Sequence, residues 1–161
     1  MSSDPPEGDG RLLFRALPPR LKFTADEKRT VAAFARSLAD QIAGGRLFTC
    51  LITRDRELRR LNRMFLDKDY PTDVLSFPNQ SADLNLGEIA ISLDRAEAQA
   101  NEFGHTRVDE IRILMLHGVL HLTGMDHEHD RGAMASAEQK WRHEFGLPAT
   151  LIARGSSSKS Q

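Results

Sequence analysis

Apolar residues recur along the chain at spacings of three and four, which mark the inner face of a helix, in segments separated by shorter apolar runs. Five helices are predicted on this basis: from Thr24 to Gly44, over 55–66, from Ser92 to Gly104, from Thr106 to Leu122 and from Ala133 to Gly146. Thr24 with Glu27 forms a capping-box pair, and Ser92 and Thr106 are typical N-cap residues. The segment from Ile113 to Leu122 is apolar nearly all round, so we expect it to form the central, buried helix.

Two of these helices carry regular stripes that predict which side faces inward. In the helix over 55–66 the expected inner stripe is Leu58, Leu61 and Phe65. The last helix carries Ala133, Ala137, Trp141 and Phe145 at intervals of four. Side chains at such intervals lie on one face of a helix.

The shorter runs of apolar and β-branched residues predict four strands, over 11–17, 47–53, 73–77 and 86–92. The run LFTCLIT at 47–53 is typical of a strand buried on both faces, in the middle of a sheet. Residues 11–153 are expected to form one folded unit. The tails over 1–10 and 154–161 have little apolar surface to bury, so we expect them to be disordered.

Composition adds mainly exclusions. The 161 residues include 22 basic and 23 acidic side chains, so net charge favours neither nucleic acid nor membrane as a partner. The charge-free stretch at 113–125 is shorter than the roughly 20 apolar residues of a membrane span. The first ten residues lack an export pattern, so we expect a cytoplasmic protein. The single cysteine, Cys50, is predicted to be a core residue rather than a nucleophile.

The predicted central helix also carries candidate chemistry. His117 and His121 are four residues apart, about 40° around the axis and about 6 Å along it, which suits two ligands of one ion. Gly124 can end the helix, and His127 follows it, so the returning chain could supply a third imidazole. Three neutral histidines with an open fourth position are typical of a catalytic zinc site. We therefore predict one Zn²⁺ per chain.

The alternative is that these histidines are core residues satisfied by backbone hydrogen bonds, although two side by side on an apolar helix argue against it. Asp126 is either an outer partner of a ligand histidine or a turn residue. The other histidines, His105, His129 and His143, lack the spacing and are predicted to lie outside the site.

Zinc peptidases of the HExxHxxGxxH type share this ligand spacing. Their glutamate after the first histidine is the general base, and Gly118 stands in that position here. Peptide hydrolysis by that mechanism would therefore lack its proton acceptor. A zinc-bound water can supply hydroxide without a carboxylate base, so other hydrolytic reactions remain open.

A cluster of arginines precedes the third predicted strand. Arg56, Arg59, Arg60 and Arg63 recur at helical neighbour spacings, opposite the stripe of Leu58, Leu61 and Phe65. They form either an RNA phosphate-binding face or a solvated helix face partly paired with nearby carboxylates.

Two long motifs resemble the YbeY family of bacterial ribosomal RNA maturation factors. They are HGVLHLTGMDH at 117–127 and PTDVLSFP at 71–78. The segment between them and the helix through Met134 and Glu138 follow in the family's order, so the resemblance covers about residues 45–145. It implies an α+β fold in which a mixed four-stranded sheet packs against about five helices, with the metal-binding helix in the centre.

The resemblance also implies a function. Family members are regarded as zinc-dependent, single-strand-specific endoribonucleases in the 3′-end maturation of the 16S ribosomal RNA and in ribosome quality control. Their three metal ligands carry over onto His117, His121 and His127. The implied partners are single-stranded ribosomal RNA and the small ribosomal subunit, with ribosomal proteins and an assembly GTPase as further candidates.

The chain departs from the family pattern at two positions. Leu66 stands where the family usually has an arginine, and Met125 stands where an aromatic residue is common. The first departure leaves the stabilisation of transition-state charge without its usual residue, and Arg63, one turn from Leu66, is the substitute we predict. His117 and Arg63 are thus the candidate catalytic residues.

Three functional hypotheses follow. The first is a zinc-dependent endoribonuclease, in which arginine offsets the charge that develops on phosphorus. The second is a non-catalytic ribosome-assembly factor that binds RNA and carries a structural metal, a reading that Leu66 and the missing carboxylate base favour. A metalloprotease is the third.

Overall fold

The computed structural model describes residues 11–68, 72–79, 85–125 and 132–148. Both predicted tails, at 1–10 and 154–161, lie outside these ranges. Within them the chain forms the four strands and five α-helices that the sequence pattern predicts, and one short 3₁₀ helix at Pro19–Leu21 that it does not predict. None of the helices in this described portion has the length and apolar content needed to cross a membrane.

The strands form one mixed sheet. They are β1 (Arg11–Phe14), β2 (Leu47–Thr53), β3 (Val74–Pro78) and β4 (Asn85–Ser92), in the spatial order β1-β2-β4-β3. β2 pairs in parallel with β1 and β4, and β3 runs antiparallel to β4. β1 is shorter than predicted because Ala16, at φ 61°, leaves the extended conformation just before the Pro18-Pro19 break.

β2 lies inside the sheet as predicted, but only one of its faces is fully buried. Phe48, Cys50 and Ile52 point into the main core, whereas Thr49 and Leu51 on the other face are half-buried. The prediction of burial on both faces was wrong for this second face. Among the residues that the structure describes, the helix after β2 covers this face, and it packs against β3 and β4.

The helices are α1 (Ala25–Gln41), α2 (Asp55–Leu66), α3 (Leu93–Phe103), α4 (Arg107–Leu122) and α5 (Ala133–Glu144). Thr24 forms the predicted capping box with Glu27, through bonds of 3.0 and 2.9 Å. The hydroxyls of Ser92 and Thr106 accept hydrogen bonds at the starts of α3 and α4. The predicted N-caps are therefore confirmed, because each satisfies a backbone N–H that the helix leaves unpaired.

α4 is the central helix, as predicted. It packs against α1, α3, α5, β3 and β4, and its apolar side chains are buried on nearly every side. Ile111, Met115, Leu116 and Val119 have no exposed surface. Removing this much apolar surface from water makes α4 the main source of hydrophobic stabilisation.

The predicted stripe of α5 is confirmed for Ala137, Trp141 and Phe145, which are partly buried against the main core, but the most buried side chains of this helix lie one residue further along. Met134 is fully buried and Arg142 is 4% exposed, whereas Ala133 is exposed and Trp141 half-buried. The face that meets α4 is therefore the series Met134, Glu138 and Arg142. Hydrophobicity alone could not locate this face, because two of its three members are charged.

A second, smaller core lies on the other face of the sheet, under α2. It consists of Leu58, Leu75 and Ala90 with Leu61 and Phe77 at its edge. The predicted stripe of α2 holds for its first two members only. Phe65 is 61% exposed, because the last turn of α2 extends past this core. Its ring contacts that of Phe77 edge to face, with the ring centres 5.7 Å apart.

Hydrogen bonds connect the first residues of α2 and α3, which follow the neighbouring strands β2 and β4. Asp94 accepts hydrogen bonds from the Asp55 N–H at 2.7 Å and from Arg54 at 2.9 Å, and Asp55 accepts one from the Ser92 hydroxyl at 2.8 Å. Burial raises the pKa of Asp94, but the bonds from Arg54 and from the Asp55 backbone outweigh it, so the pKa is lowered overall. Each carboxylate thus stabilises the positive end of a helix.

Arg107, the first residue of α4, ties this helix to α1 and to the segment before it. Its guanidinium donates to four groups: the carboxylates of Glu27 and Glu97 and the main-chain oxygens of Leu21 and Lys22. It also lies 4.1 Å from the centre of the Phe23 ring. The hydrogen bond from Arg107 is the first cause of a lowered pKa at Glu27, with burial opposing it.

We predict that Arg107→Met lowers the free energy of unfolding by about 1–3 kcal/mol at neutral pH, because charged hydrogen bonds are lost and partly buried acceptors remain. The control is Arg36→Met at an exposed position of α1. Urea unfolding at several pH values checks both.

The same experiment has a pH signature. The pKa of Glu27 is lower in the folded protein than in the unfolded chain. Glu27 therefore stabilises the fold at pH values above its unfolded pKa, and this stabilisation is lost as the pH falls through its folded pKa. The difference in free energy of unfolding between wild type and Arg107→Met should therefore become smaller below about pH 4.5. A difference that grows on acidification would contradict the assignment.

Candidate functional site

The predicted histidine pair lies together on the C-terminal half of α4. The rings of His117 and His121 meet edge to face with their centres 4.7 Å apart, and both side chains are half-buried. A half-buried imidazole can still be reached by a ligand, although much of its surface is shielded from water. His127 and Asp126 lie outside the described residues, so the three-histidine site and the outer role of Asp126 stay predictions.

Glu138 on α5 joins this pair, and no role was predicted for it. Its Oε1 lies 2.8 Å from Nδ1 of His117, and the exposed fraction of its side chain is 13%. Arg142, one turn further along α5, places Nη2 at 4.0 Å from the other carboxylate oxygen. The only sequence clue was the four-residue spacing of Glu138 and Arg142, which does not say that α5 packs against α4.

The side chains present suit a zinc ion, although no group of three or more possible ligands is found within the described ranges. Imidazole nitrogen is a preferred zinc ligand, and a histidine ligand usually donates its other N–H to a carboxylate. His117 has such a carboxylate beside it, with Oε1 of Glu138 2.8 Å from Nδ1. The C-terminal end of α4 also carries the partial negative charge that favours a cation.

Gly118 explains why the peptidase glutamate is absent. A Cβ atom at this position would lie 2.9 Å from Cδ1 of Ile89 on β4, closer than carbon atoms normally approach. The Gly118 carbonyl also accepts a hydrogen bond from the Ser76 hydroxyl on β3, at 3.3 Å. Position 118 thus faces the sheet, where a carboxylate would be buried against apolar atoms. This geometry argues against the metalloprotease hypothesis.

The remaining histidines divide as follows. His105 lies before the start of α4, far from His117 along the helix, and its Nε2 is 2.7 Å from Oε1 of the fully buried Glu110. This contact gives it a structural partner, which the sequence pattern did not predict. His143 is exposed on α5, and His129 lies outside the described residues.

The predicted arginine face of α2 is exposed to solvent. Its members are Arg56, Arg59, Arg60 and Arg63. Arg60 donates two hydrogen bonds to the Glu57 carboxylate, of 2.9 and 2.7 Å. This ion pair agrees with the alternative interpretation, a solvated helix face whose arginines are partly paired with nearby carboxylates. Leu66, at the position of the family's arginine, is 41% exposed. Whether Arg63 serves the metal site stays a prediction.

Cys50 is a core residue, as predicted. Its side chain is 1% exposed in β2, and burial raises the pKa of its thiol to about 12. The thiolate needed for nucleophilic attack or metal binding is therefore not formed at neutral pH.

Comparison with known proteins assigns the family. A family model described as "Endoribonuclease YbeY" matches residues 22–146. The chain belongs to the endoribonuclease YbeY family. The YbeY relative from Solibacter usitatus is 58% identical over 149 residues, which cover 92% of this chain and 96% of the relative. The relative from Helicobacter pylori is 40% identical over 118 residues, covering 73% and 84% respectively.

A solved structure supports the fold. The solution structure of a protein from Thermotoga maritima matches with a TM-score of 0.57 and 25% sequence identity, and the match covers 84% of this chain and 91% of that one. The α+β class, the mixed four-stranded sheet and the five helices expected from the resemblance to YbeY are confirmed.

The close contact at Gly118 predicts that replacing this helical glycine with alanine lowers stability, the opposite of the usual effect. Alanine in place of glycine normally stabilises a helix interior by about 1 kcal/mol, but Gly118→Ala should destabilise this YbeY-family protein by about 1–3 kcal/mol through overpacking against Ile89. Chemical unfolding of both proteins measures the difference.

A double-mutant cycle tests the cause. Ile89→Ala removes Cδ1, Cγ2 and Cγ1, the three nearest atoms at 2.9, 3.0 and 3.1 Å, and should cost less stability in the Gly118→Ala background than in wild type. Additive effects of the two substitutions would show that the contact does not limit the packing of α4 on β4.

Proposed function

We propose that this YbeY-family protein is a zinc-dependent endoribonuclease that cleaves single-stranded RNA. One Zn²⁺ per chain is held by His117, His121 and His127. The observation that carries the proposal is the adjacent pair of imidazoles on α4, one of them hydrogen-bonded through Nδ1 to a carboxylate, in a chain that belongs to a family of endoribonucleases.

The residues of the chain divide the work in this proposal. When bound, zinc supplies a Lewis acid at the scissile phosphate. His117 and His121 hold it at the C-terminal end of α4, on a helix whose burial fixes their positions. Rigid placement of this kind matters because catalysis by positioning loses much of its effect when groups are displaced by about 1 Å.

Arginines on α2 bind the RNA chain. Guanidinium groups match phosphate oxygens in geometry and charge, and Arg56, Arg59 and Arg63 are exposed to solvent. Arg60 has a carboxylate partner in Glu57 and exchanges it for phosphate.

The resemblance to the family supports the choice of substrate. We propose the 3′ end of the 16S ribosomal RNA within the small ribosomal subunit, in maturation and quality control. Ribosomal proteins and an assembly GTPase are the further proposed partners, and the cytoplasm is the proposed compartment.

We expect the zinc-loaded protein to cleave a labelled single-stranded fragment of the ribosomal RNA 3′ end. His117→Ala and chelation of the metal should each abolish cleavage, because both remove the Lewis acid from the scissile phosphate. The measurement is product formation on a denaturing gel.

The matched control is His143→Ala, which removes an exposed histidine from α5 and should leave cleavage intact. Equal cleavage by wild type and His117→Ala would point to a contaminating nuclease and sink the catalytic proposal. RNA binding without cleavage would instead favour the non-catalytic assembly factor.

The arginine face has its own test. Each arginine that contacts phosphate should contribute about 0.7 to the slope of log affinity against log salt concentration for single-stranded RNA. Arg56→Ala and Arg59→Ala should each reduce the slope by about this amount, whereas Arg36→Ala on α1 should not. Fluorescence anisotropy at several salt concentrations measures it, and unchanged slopes in the α2 variants would show that this face is only solvated.

A further inference from the structure

The contact between α4 and α5 places a carboxylate against the first candidate metal ligand. Oε1 of Glu138 lies 2.8 Å from Nδ1 of His117, a distance at which one of the two groups must donate a proton. The exposed fractions are 22% for the histidine side chain and 13% for the carboxylate side chain. Shielding from water strengthens such a hydrogen bond.

The chemistry of the pair decides which nitrogen carries the proton. A carboxylate only accepts hydrogen bonds, so a neutral His117 beside it carries its hydrogen on Nδ1 and its lone pair on Nε2. A metal binds the nitrogen that has the lone pair. We infer that Glu138 is a positioning residue that fixes the tautomer and the ring orientation of His117 and so presents Nε2 to the metal. This inference rests on the proposed zinc site.

Glu138 is itself held in place from α5. Met134, one turn before it, has no exposed surface, and the Arg142 side chain, one turn after it, is 5% exposed. The guanidinium of Arg142 lies 4.0 Å from Oε2 of Glu138, so positive charge faces the carboxylate oxygen that His117 does not use. Burial on both sides leaves Glu138 little freedom to turn away.

The arrangement makes α5 part of the metal centre, although α5 supplies no ligand. The chain of contacts runs from Arg142 to Glu138 and then to His117. Carboxylates in this position typically strengthen metal binding 10- to 100-fold, roughly, by orienting the histidine and raising its basicity.

The first test needs no substitution. Long-range ¹H–¹⁵N correlation spectra of the full-length, metal-free protein report which nitrogen of His117 is protonated. The proposal requires hydrogen on Nδ1 in the wild type. Hydrogen on Nε2 with none on Nδ1 would overturn it, whatever the variants do.

The second test compares zinc affinity by competition with a chromophoric chelator. Glu138→Leu keeps similar bulk without an acceptor and should weaken zinc binding about 10- to 100-fold, with a shift of the His117 proton toward Nε2. Glu138→Gln retains an acceptor oxygen and should keep the Nδ1 proton and lose less affinity. Glu144→Gln, at an exposed position of the same helix, is the matched control.

The outcomes separate this inference from the proposed function. Glu138→Leu with the zinc affinity of the control would contradict the positioning role. If Glu138→Leu does not fold, the wild-type tautomer and the Glu138→Gln spectra still decide. Tight zinc binding that depends on Glu138, without RNA cleavage, would remove the nuclease proposal and leave the positioning role standing.

Discussion

The close approach of α4 to β4 at Gly118 is the constraint on which the rest of the structure depends. With no side chain at this position, the helix backbone lies against Ile89, and the Gly118 carbonyl reaches the Ser76 hydroxyl of β3. α4 can then be covered by the sheet on this side and by α1, α3 and α5 on the others. The fold therefore buries its most apolar helix nearly completely, as the hydrophobic effect favours.

That burial also shapes the site. Packing on all sides holds this helix in one position, so His117 and His121 keep a fixed geometry relative to each other at its C-terminal end. The same packing brings α5 alongside, with Glu138 and Arg142 on the inward face in place of apolar residues. Charged residues on a buried face cost desolvation energy, which paired contacts offset only in part. Their presence there is best explained by a role in the site, as the inference about Glu138 states.

The other face of the sheet carries a different part of the molecule. Of the helices in the described ranges, α2 lies there, over a small core. Its outward side exposes the arginine row, and its last turn exposes Phe65 and Leu66. The start of α2 is anchored beside α3 by two hydrogen bonds, one from the Asp55 N–H to Asp94 and one from the Ser92 hydroxyl to Asp55. The two faces of one sheet thus hold the candidate metal ligands and the candidate RNA-binding arginines.

Several features could be predicted without the structure, because each depends on local spacing or on the apolar content of one segment. They are the elements and their order, the N-caps, the central place of α4 and the pairing of His117 with His121. The motifs at 71–78 and 117–127 also determined the family. The tertiary structure alone decided which side of α5 faces inward, that Phe65 is exposed, that β2 is open on one face, and that Glu138 meets His117 and Glu110 meets His105. The difference has a physical reason. Periodicity reports where apolar surface must be buried, whereas contacts between charged residues on separate helices depend on how those helices pack.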